Sequence, residues 1–171
     1  MTAAHAALLL VDLQQRLMPA IADGEKVIAR SVRLAEAATL LGVPVLATEQ
    51  VPEKLGPTVG RLAGYPHLVS PKSRFAADGS GLVPPGRSEI VVAGAEAHVC
   101  VLQTVLTLAA DGHRVLVVAD AVGSRDPQDR AAALERARAA GAEIVTSEMV
   151  LFEWLGDATH PRFREVQKLL K

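Results

Sequence analysis

Three side chains of complementary chemistry, a carboxylate, an amine and a thiol, each come soon after a short apolar segment of this chain. Asp12 directly follows residues 7–11, Lys72 follows a weaker apolar segment, and Cys100, the only cysteine among 171 residues, follows residues 90–93 by a short loop. A thiol needs a base to take its proton before it attacks, and a nearby cation stabilises the negative charge that develops. This combination predicts nucleophilic catalysis by Cys100, with Asp12 as general base and Lys72 as the stabilising cation.

Each of these residue types also has an ordinary structural role. A free cysteine is commonly a small buried hydrophobe, an aspartate at a strand end caps a turn, and most lysines are solvated. Cys100 lies near the start of a helical segment, where the helix dipole and a nearby lysine favour the thiolate, so a lowered pKa is expected. His98 is the rival base, but adjacent in a turn its side chain need not face the thiol, and it ranks second.

The elements that must position these side chains alternate between strands and helices. The predicted strands are residues 7–11, 43–47, 67–69, 90–93, 114–119 and 142–145. The predicted helices are residues 31–41, 99–110 and 127–141, and the remainder from residue 147 is predicted to form two short helices. This alternation predicts a mostly parallel sheet with helices on both faces. The carboxyl ends of its strands share one edge, where open α/β sheets build their active sites, so the three side chains can converge.

Composition narrows the classes of partner. The length suits a single domain over residues 1–171. The formal net charge is −1 and only 3% of residues are aromatic, and no basic stripe with interleaved aromatics suggests nucleic acid. No apolar run reaches the roughly 20 residues of a membrane span, and one cysteine fits a reducing compartment. We therefore expect a cytoplasmic protein whose partner is a small molecule, with neither nucleic acid nor a membrane.

The last part of the chain is unusually apolar. Residues 150–170 hold three of the five aromatic residues together with several leucines and valines. A sheet of this size already has helices for both faces, so some of this apolar surface is expected to be buried against another subunit. The sequence thus predicts a homo-oligomer, a dimer or larger.

At this level of detail the chain resembles a known family. LLLVDLQQRL around Asp12, PKSRF around Lys72 and GAEAHVCVLQT around Cys100 are similar to the motifs of isochorismatase-like cysteine hydrolases. TEQVPEKLG, VADAVGSR and the tail resemble the isochorismatase-domain-containing branch. The resemblance implies an α/β fold, a Rossmann-like three-layer α/β/α arrangement with a six-stranded, mostly parallel sheet, and a catalytic triad of Asp12, Lys72 and Cys100.

The same resemblance implies finer features of the site. It places a cis peptide bond between Ala95 and Glu96, and it makes the backbone N–H groups of Glu96 and Cys100 the oxyanion hole. Four further residues are implied at the substrate pocket, three as the lining of a small apolar cavity over Cys100 and the last near its rim: Leu17, Phe75, Val99 and Gln50. Taken singly, each of the apolar three is as well explained as ordinary core.

Departures from the family pattern limit the chemistry. Nicotinamidase-type relatives carry an Asp-x-His metal motif where this chain has Thr48-Glu49-Gln50, and the remaining histidines show no ligand spacing: His5, His67, His113 and His160. We therefore expect no metal and no other cofactor. True isochorismatases lack the cysteine, so Cys100 favours covalent amide chemistry over vinyl-ether hydrolysis. The loop from Glu96 to His98 differs from the amidase pattern, so the resemblance does not identify the substrate.

The sequence thus predicts a metal-independent cysteine hydrolase that cleaves a small amide or related C–N bond through a thioester on Cys100. The alternative keeps the fold but not the turnover, as a small-molecule-binding or redox-responsive oligomer in which Cys100 is oxidised. A nucleotide-binding domain has little support, because no G-x-G-x-x-G follows the first strand.

Overall fold

The computed structural model describes residues 1–79 and 81–170, and it contains one sheet of six strands. The strands are β1 (Ala6–Val11), β2 (Val45–Gln50), β3 (Leu68–Lys72), β4 (Glu89–Ala95), β5 (Arg114–Gly123) and β6 (Glu143–Val145). The α-helices are α1 (Gly24–Leu41), α2 (Pro52–Leu55), α3 (Leu102–Ala110), α4 (Pro127–Ala139), α5 (Ser147–Leu155) and α6 (Phe163–Lys168). A short 3-10 helix, Met18–Ala20, and a π-helix, Ala97–Val101, complete the described part.

All neighbouring strands are parallel, in the order β3-β2-β1-β4-β5-β6. The predicted six-stranded α/β sheet is confirmed, and it is entirely rather than mostly parallel. The central strands read as continuous apolar runs because both of their faces are covered. In β1, Leu8 and Leu10 pack with α1 and α5 on one face, whereas Leu9 and Val11 pack with α3 and α4 on the other. The result is the expected three-layer arrangement.

The strand order reverses between β1 and β4, and such a switch point opens a crevice beyond the carboxyl ends of the two strands. β1 leads directly into Asp12, and β4 leads through a short turn to Cys100. Gly94, opposite Val11 in the register, has a φ of 137°, and a Cβ atom there would overlap the Val11 carbonyl oxygen. A glycine is therefore required where the two strands approach most closely.

The apolar tail packs mainly on its own chain. Five of its residues are buried in the core formed with α1 and the sheet: Val150, Leu151, Trp154, Leu155 and Val166. The expectation that tail residues lie in a subunit interface is wrong for these five, because the sheet face beside α1 is wide enough to take α5 as well. Phe152 and Met149 are the large apolar side chains of α5 that stay exposed.

Candidate active site

Asp12 lies in the crevice directly after β1, and its side chain is fully buried. Lys72 Nζ donates to Asp12 Oδ2 over 2.6 Å, and Thr48 Oγ1 donates to Asp12 Oδ1 over 2.6 Å. The φ of Asp12 is 50°, a left-handed conformation that is uncommon outside glycine and that aspartate tolerates. Both carboxylate oxygens accept a hydrogen bond, so the orientation of this carboxylate is fixed.

Lys72 is the last residue of β3 rather than a residue beyond it. Its ammonium group donates to Asp12 Oδ2 over 2.6 Å, to Gln50 Oε1 over 2.6 Å and to the Phe75 carbonyl over 3.0 Å. These bonds use all three donors of the ammonium. The side chain is 9% exposed, so the ordinary reading of this lysine as a solvated surface charge does not hold.

Two glutamines, Gln14 and Gln50, orient this cluster. The sequence analysis assigned Gln14 no role and placed Gln50 only near the rim of the pocket. Gln50 N donates to Gln14 Oε1 over 2.8 Å, and Gln14 Nε2 donates to the carbonyls of Gln50 and Gly56 over 3.1 and 2.7 Å. Gln50 Nε2 donates to the Ser73 carbonyl over 2.7 Å, which leaves Gln50 Oε1 facing the lysine. In the sequence, Gln14 and Thr48 are each a polar residue close to or within an apolar segment, and this pattern indicates a buried polar side chain.

Cys100 is 6% exposed, and its Sγ lies 4.0 Å from Gln50 Oε1, the atom that also accepts from Lys72 Nζ. Burial raises the pKa of the Cys100 thiol from 9.0 to about 12, the negative charge of Asp12 adds to the rise, and Lys72 partly opposes it. The expectation of a lowered pKa is therefore wrong. Desolvation outweighs the lysine, and the cysteine belongs to the π-helix that precedes α3 rather than to the first turn of an α-helix.

The turn between β4 and Cys100 has a cis peptide bond between Ala95 and Glu96, at the place that the family resemblance implies. The Glu96 carbonyl accepts from the N–H groups of Val99 and Val101, both over 3.1 Å. Among the hydrogen bonds of the described residues, none has the Glu96 N–H as its donor.

The residues expected to line the pocket lie in different surroundings. Leu17 packs against the core on the α1 face, Val99 packs against the core on the α3 face, and Phe75 is half exposed. A cavity of about 640 Å³ runs along β3, and its lining includes Lys72 and Thr48. Neither Asp12, nor Cys100, nor any of the four expected lining residues borders it, although Gln50 contacts Lys72.

His98 faces away from the proposed nucleophile. Its Nδ1 lies 3.0 Å from Ser124 Oγ, and its Nε2 lies 3.5 Å from Asp129 Oδ2. Nδ1 is therefore directed at the segment between β5 and α4, and Nε2 is directed at the first turn of α4, so His98 ranks below Asp12 as a candidate base. Within residues 1–79 and 81–170, no cluster of three or more His, Cys, Asp or Glu side chains could hold a metal ion.

Comparison with known proteins identifies the family. The model of the isochorismatase domain matches residues 6–149. The chain belongs to the isochorismatase domain family. It is 40% identical over 167 residues to isochorismatase domain-containing protein 1 of Salmo salar, covering 94% of this chain and 59% of that protein. It is 39% identical over 173 residues to isochorismatase domain-containing protein 2A of Mus musculus, covering 96% of this chain and 82% of that protein.

Solved structures of the family share the fold over nearly the whole chain. The MAR1 ribonuclease of Caenorhabditis elegans is 36% identical with a TM-score of 0.92, covering 99% of this chain and 91% of that one. YcaC of Pseudomonas aeruginosa, solved with hexane-2,5-diol and covalent acrylamide, is 26% identical with a TM-score of 0.88, covering 99% and 90%. YcaC of Escherichia coli, described as an octameric hydrolase of unknown specificity, is 25% identical with a TM-score of 0.84, covering 98% and 94%. The resemblance read from the sequence is confirmed, and the fold is that of isochorismatase-family hydrolases.

Proposed function

We propose that this chain is a cysteine hydrolase that cleaves a small amide or a related C–N bond. The observation that carries the proposal is one buried cluster at the switch point of the sheet. In it Lys72 Nζ lies 2.6 Å from both Asp12 Oδ2 and Gln50 Oε1, and Gln50 Oε1 lies 4.0 Å from the Cys100 Sγ. A nucleophile, a base and a cation in one water-poor crevice are the parts that acyl transfer needs.

The first half of the reaction starts from a neutral thiol, because burial and Asp12 raise the pKa of Cys100 to about 12. Asp12 takes the thiol proton as Sγ bonds to the carbonyl carbon of the substrate, so a free thiolate need not accumulate. The carbonyl oxygen becomes an oxyanion, and the N–H groups of Glu96 and Cys100 stabilise it. Asp12 then gives its proton to the departing nitrogen, the C–N bond breaks, and a thioester with Cys100 is left.

The second half reverses the proton movement with water as the nucleophile. Asp12 takes a proton from water as its oxygen bonds to the thioester carbon, and the same two N–H groups hold the oxyanion. The C–S bond breaks, the proton returns to Sγ, and a carboxylic acid leaves. Lys72 keeps the carboxylate of Asp12 in one orientation throughout, since the ammonium is itself held by Gln50 Oε1 and the Phe75 carbonyl.

The alternative of a redox-responsive protein has less support. Oxidation of cysteine follows thiolate character and exposure, whereas Cys100 is buried and its pKa is raised. A thiol that is protonated at neutral pH and sits beside a carboxylate suits base-assisted attack on a carbonyl better than reaction with an oxidant.

A small molecule is the proposed partner. The cavity of about 640 Å³ is of the size that small ligands occupy, and it meets the proposed site at Lys72 and Thr48 rather than at Cys100. The MAR1 neighbour is named a ribonuclease, but the net charge of −1 and the scarcity of aromatic residues do not support nucleic acid as the partner of this chain. No helix in the described residues is long and apolar enough to cross a membrane.

We also propose a homo-oligomer, a dimer or larger. The octameric YcaC of Escherichia coli supports this proposal, as do Met149 and Phe152, which remain exposed on α5. Light scattering at micromolar concentration measures the mass directly. A monomeric mass would overturn the proposal.

The proposed activity is tested with a panel of small primary amides. Ammonia release should be catalytic, and rapid acid quenching followed by intact-mass analysis should show an acyl adduct that peptide mapping locates on Cys100. Activity should survive prolonged treatment with a chelator, because the site as proposed uses no metal. If the panel and activated esters give neither product nor adduct, the hydrolase proposal is wrong.

A further inference from the structure

Two side chains of the turn before Cys100 contact residues that follow β5, on the side of β4 opposite to β1, and these residues have no part in the proposed mechanism. Glu96 Oε2 accepts from Arg125 N over 3.2 Å and from Arg125 Nε over 2.9 Å. His98 Nδ1 lies 3.0 Å from Ser124 Oγ, and His98 Nε2 lies 3.5 Å from Asp129 Oδ2. The turn is thus held on both sides of Ala97 by Ser124 and Arg125, which join β5 to α4, and by Asp129 in the first turn of α4.

That segment is itself firmly placed. β5 pairs with β4 through the end of both strands, with Ala95 opposite Gly123. Asp126 then caps α4, its Oδ1 accepting from Gln128 N over 2.8 Å. Ser124 and Arg125 lie between these two anchored points, and the Ser124 carbonyl also accepts from Ala22 N over 3.0 Å. The partners of Glu96 and His98 therefore stand on rigid elements of the sheet and of α4.

We propose that Arg125 and His98 are positioning residues that hold the turn carrying the oxyanion-hole N–H groups, and we call the Glu96–Arg125 and His98–Ser124–Asp129 contacts the brace. The inference rests on the proposed function, because it concerns the stabilisation of the tetrahedral intermediate. The brace touches neither the reacting atoms nor Asp12. Its contribution is to keep the Glu96 and Cys100 amides aimed at the place where the oxygen becomes charged.

The two ends of the Glu96–Arg125 pair differ in burial. The Glu96 side chain is 11% exposed although its partner Arg125 is 65% exposed, and its Oε2 accepts from the backbone N–H and from the Nε–H of Arg125. Two bonds to the same oxygen restrict where that oxygen can lie. Because the amide of Glu96 belongs to the same residue, fixing this side chain limits how far the amide can rotate.

The geometric demand on such amides is strict. An oxyanion donor must lie at hydrogen-bond distance from the charged oxygen of the intermediate, and loss of one donor costs about 10²- to 10³-fold in rate. A displacement of about 1 Å can cost on the order of 10²-fold. If the contact on one side of Ala97 were lost, the turn would still carry the N–H donors of Glu96 and Cys100 but would misplace them. The brace therefore predicts slower acylation without a change in the nucleophile.

The test separates attack that builds an oxyanion from attack that does not. Acylation by 4-nitrophenyl acetate passes through a tetrahedral oxyanion, whereas alkylation by iodoacetamide is a displacement at a saturated carbon and needs no oxyanion hole. Both reactions use the same thiol and the same base. Stopped-flow release of 4-nitrophenolate and mass-detected alkylation should be measured for each variant.

The variants are Arg125→Gln, His98→Gln and the two combined. We expect each single change to slow acylation about 10-fold and the pair about 10²-fold, in kcat rather than in KM, with alkylation changed less than about twofold. Arg125→Lys, which restores a cation toward Glu96, should recover part of the rate. Arg114→Gln removes an arginine with two carboxylate partners at the other end of the sheet and serves as the matched control, with both reactions unchanged.

Each result is decisive. Unchanged acylation in the double variant overturns the brace, and so does a parallel loss of acylation and alkylation, since that pattern means a displaced thiol. If the unmodified protein alkylates at Cys100 but is never acylated, the hydrolase proposal fails and the brace fails with it. If the unmodified protein is acylated and the double variant is acylated at the same rate, only the brace proposal is overturned.

Discussion

The two ends of the parallel sheet each hold a cation between oxygen acceptors, and they differ in surroundings rather than in distance. At the carboxyl end, Lys72 Nζ lies 2.6 Å from Asp12 Oδ2 with the lysine side chain 9% exposed. At the amino end, Arg114 at the start of β5 lies 2.6 Å from Glu143 and 2.7 Å from Glu89, with its side chain 45% exposed. Contact distances alone would rank the two clusters as equals.

Burial decides what each cluster does. At the amino end, hydrogen bonding to Arg114 lowers the pKa of Glu143, but water and salt screen such pairs and leave them little net effect. At the carboxyl end, the same kind of contact lies among groups removed from water, where burial and the charge of Asp12 raise the pKa of Cys100 to about 12 although Lys72 opposes the rise. The buried cluster is the costlier one to disturb and is the proposed reaction centre, whereas the exposed one joins the first residues of neighbouring strands.

The largest expected effect comes from removing the nucleophile at the carboxyl end. Cys100→Ala should abolish amide hydrolysis, a loss on the order of 10⁴-fold or more, and Cys100→Ser should lose nearly as much because an alcohol is far harder to ionise. The fold should persist, since a small residue fills this position. Turnover of a verified substrate and circular dichroism check the two claims, and wild-type turnover in the Ala variant would refute the mechanism.

Removal of the base should come next. Asp12→Asn keeps the shape of the side chain but cannot take the thiol proton, so turnover should fall about 10²- to 10⁴-fold. Initial rates against substrate concentration place the loss in kcat. The corresponding change at the amino end, Glu143→Gln, should leave turnover unchanged. If the two variants lose activity equally, the contrast between the two ends is mistaken.

The two cations give a matched pair for stability. Lys72→Met leaves the carboxylate of Asp12 buried beside Thr48 alone, and breaking a buried pair in this way costs about 3–5 kcal/mol. Arg114→Met should cost about 0–1 kcal/mol, as exposed pairs do. Urea denaturation measures both free energies of unfolding. Lys72→Met should also slow iodoacetamide alkylation near neutral pH, because Lys72 lowers the pKa of Cys100; equal costs or unchanged alkylation would count against the site.

Alkaline pH should produce the smallest effect. The pKa of Cys100 is raised from 9.0 to about 12 on folding, so below pH 9 the thiol is protonated in both states and contributes no pH dependence. Between these values the unfolded chain loses a proton that the folded chain keeps, so the free energy of unfolding falls by at most about 1.4 kcal/mol per pH unit. Urea denaturation at about pH 8 and about pH 11 should show a smaller fall in Cys100→Ser than in the parent protein. An equal fall in both would contradict the raised pKa.

Parts of the fold that depend on apolar periodicity could be predicted from the sequence, and parts that depend on distant partners could not. Asp120 looks like the end of a strand, yet β5 continues to Gly123 because Asp120 accepts from Ser147 N and Ser147 Oγ over 2.7 and 2.6 Å. Likewise α1 begins at Gly24 rather than at Ser31, since its first turn is largely polar. A charged residue can lie inside a strand or a helix when a partner accepts or donates a hydrogen bond to it. The spacing of residues in the sequence does not reveal that partner.

The same division holds at the site. That Asp12, Lys72 and Cys100 would come to one edge follows from the rule that parallel strands share a carboxyl end. The direction of the Cys100 pKa did not follow, because desolvation depends on how much of the thiol the finished fold covers. Thr48 and Gln14 were missed because a hydroxyl or an amide in an apolar segment indicates a buried polar partner without naming it.

Gly94 has a consequence for how this protein can vary. The hydrogen atom that replaces a side chain there lets β4 lie against the Val11 carbonyl, and so it sets the gap between the strand that ends at Asp12 and the strand that leads to Cys100. An added methyl group would widen that gap without altering any reactive group. Activity can therefore be lost by a substitution at Gly94, which takes no part in the reaction itself, because the geometry of the whole site depends on the spacing that this glycine allows.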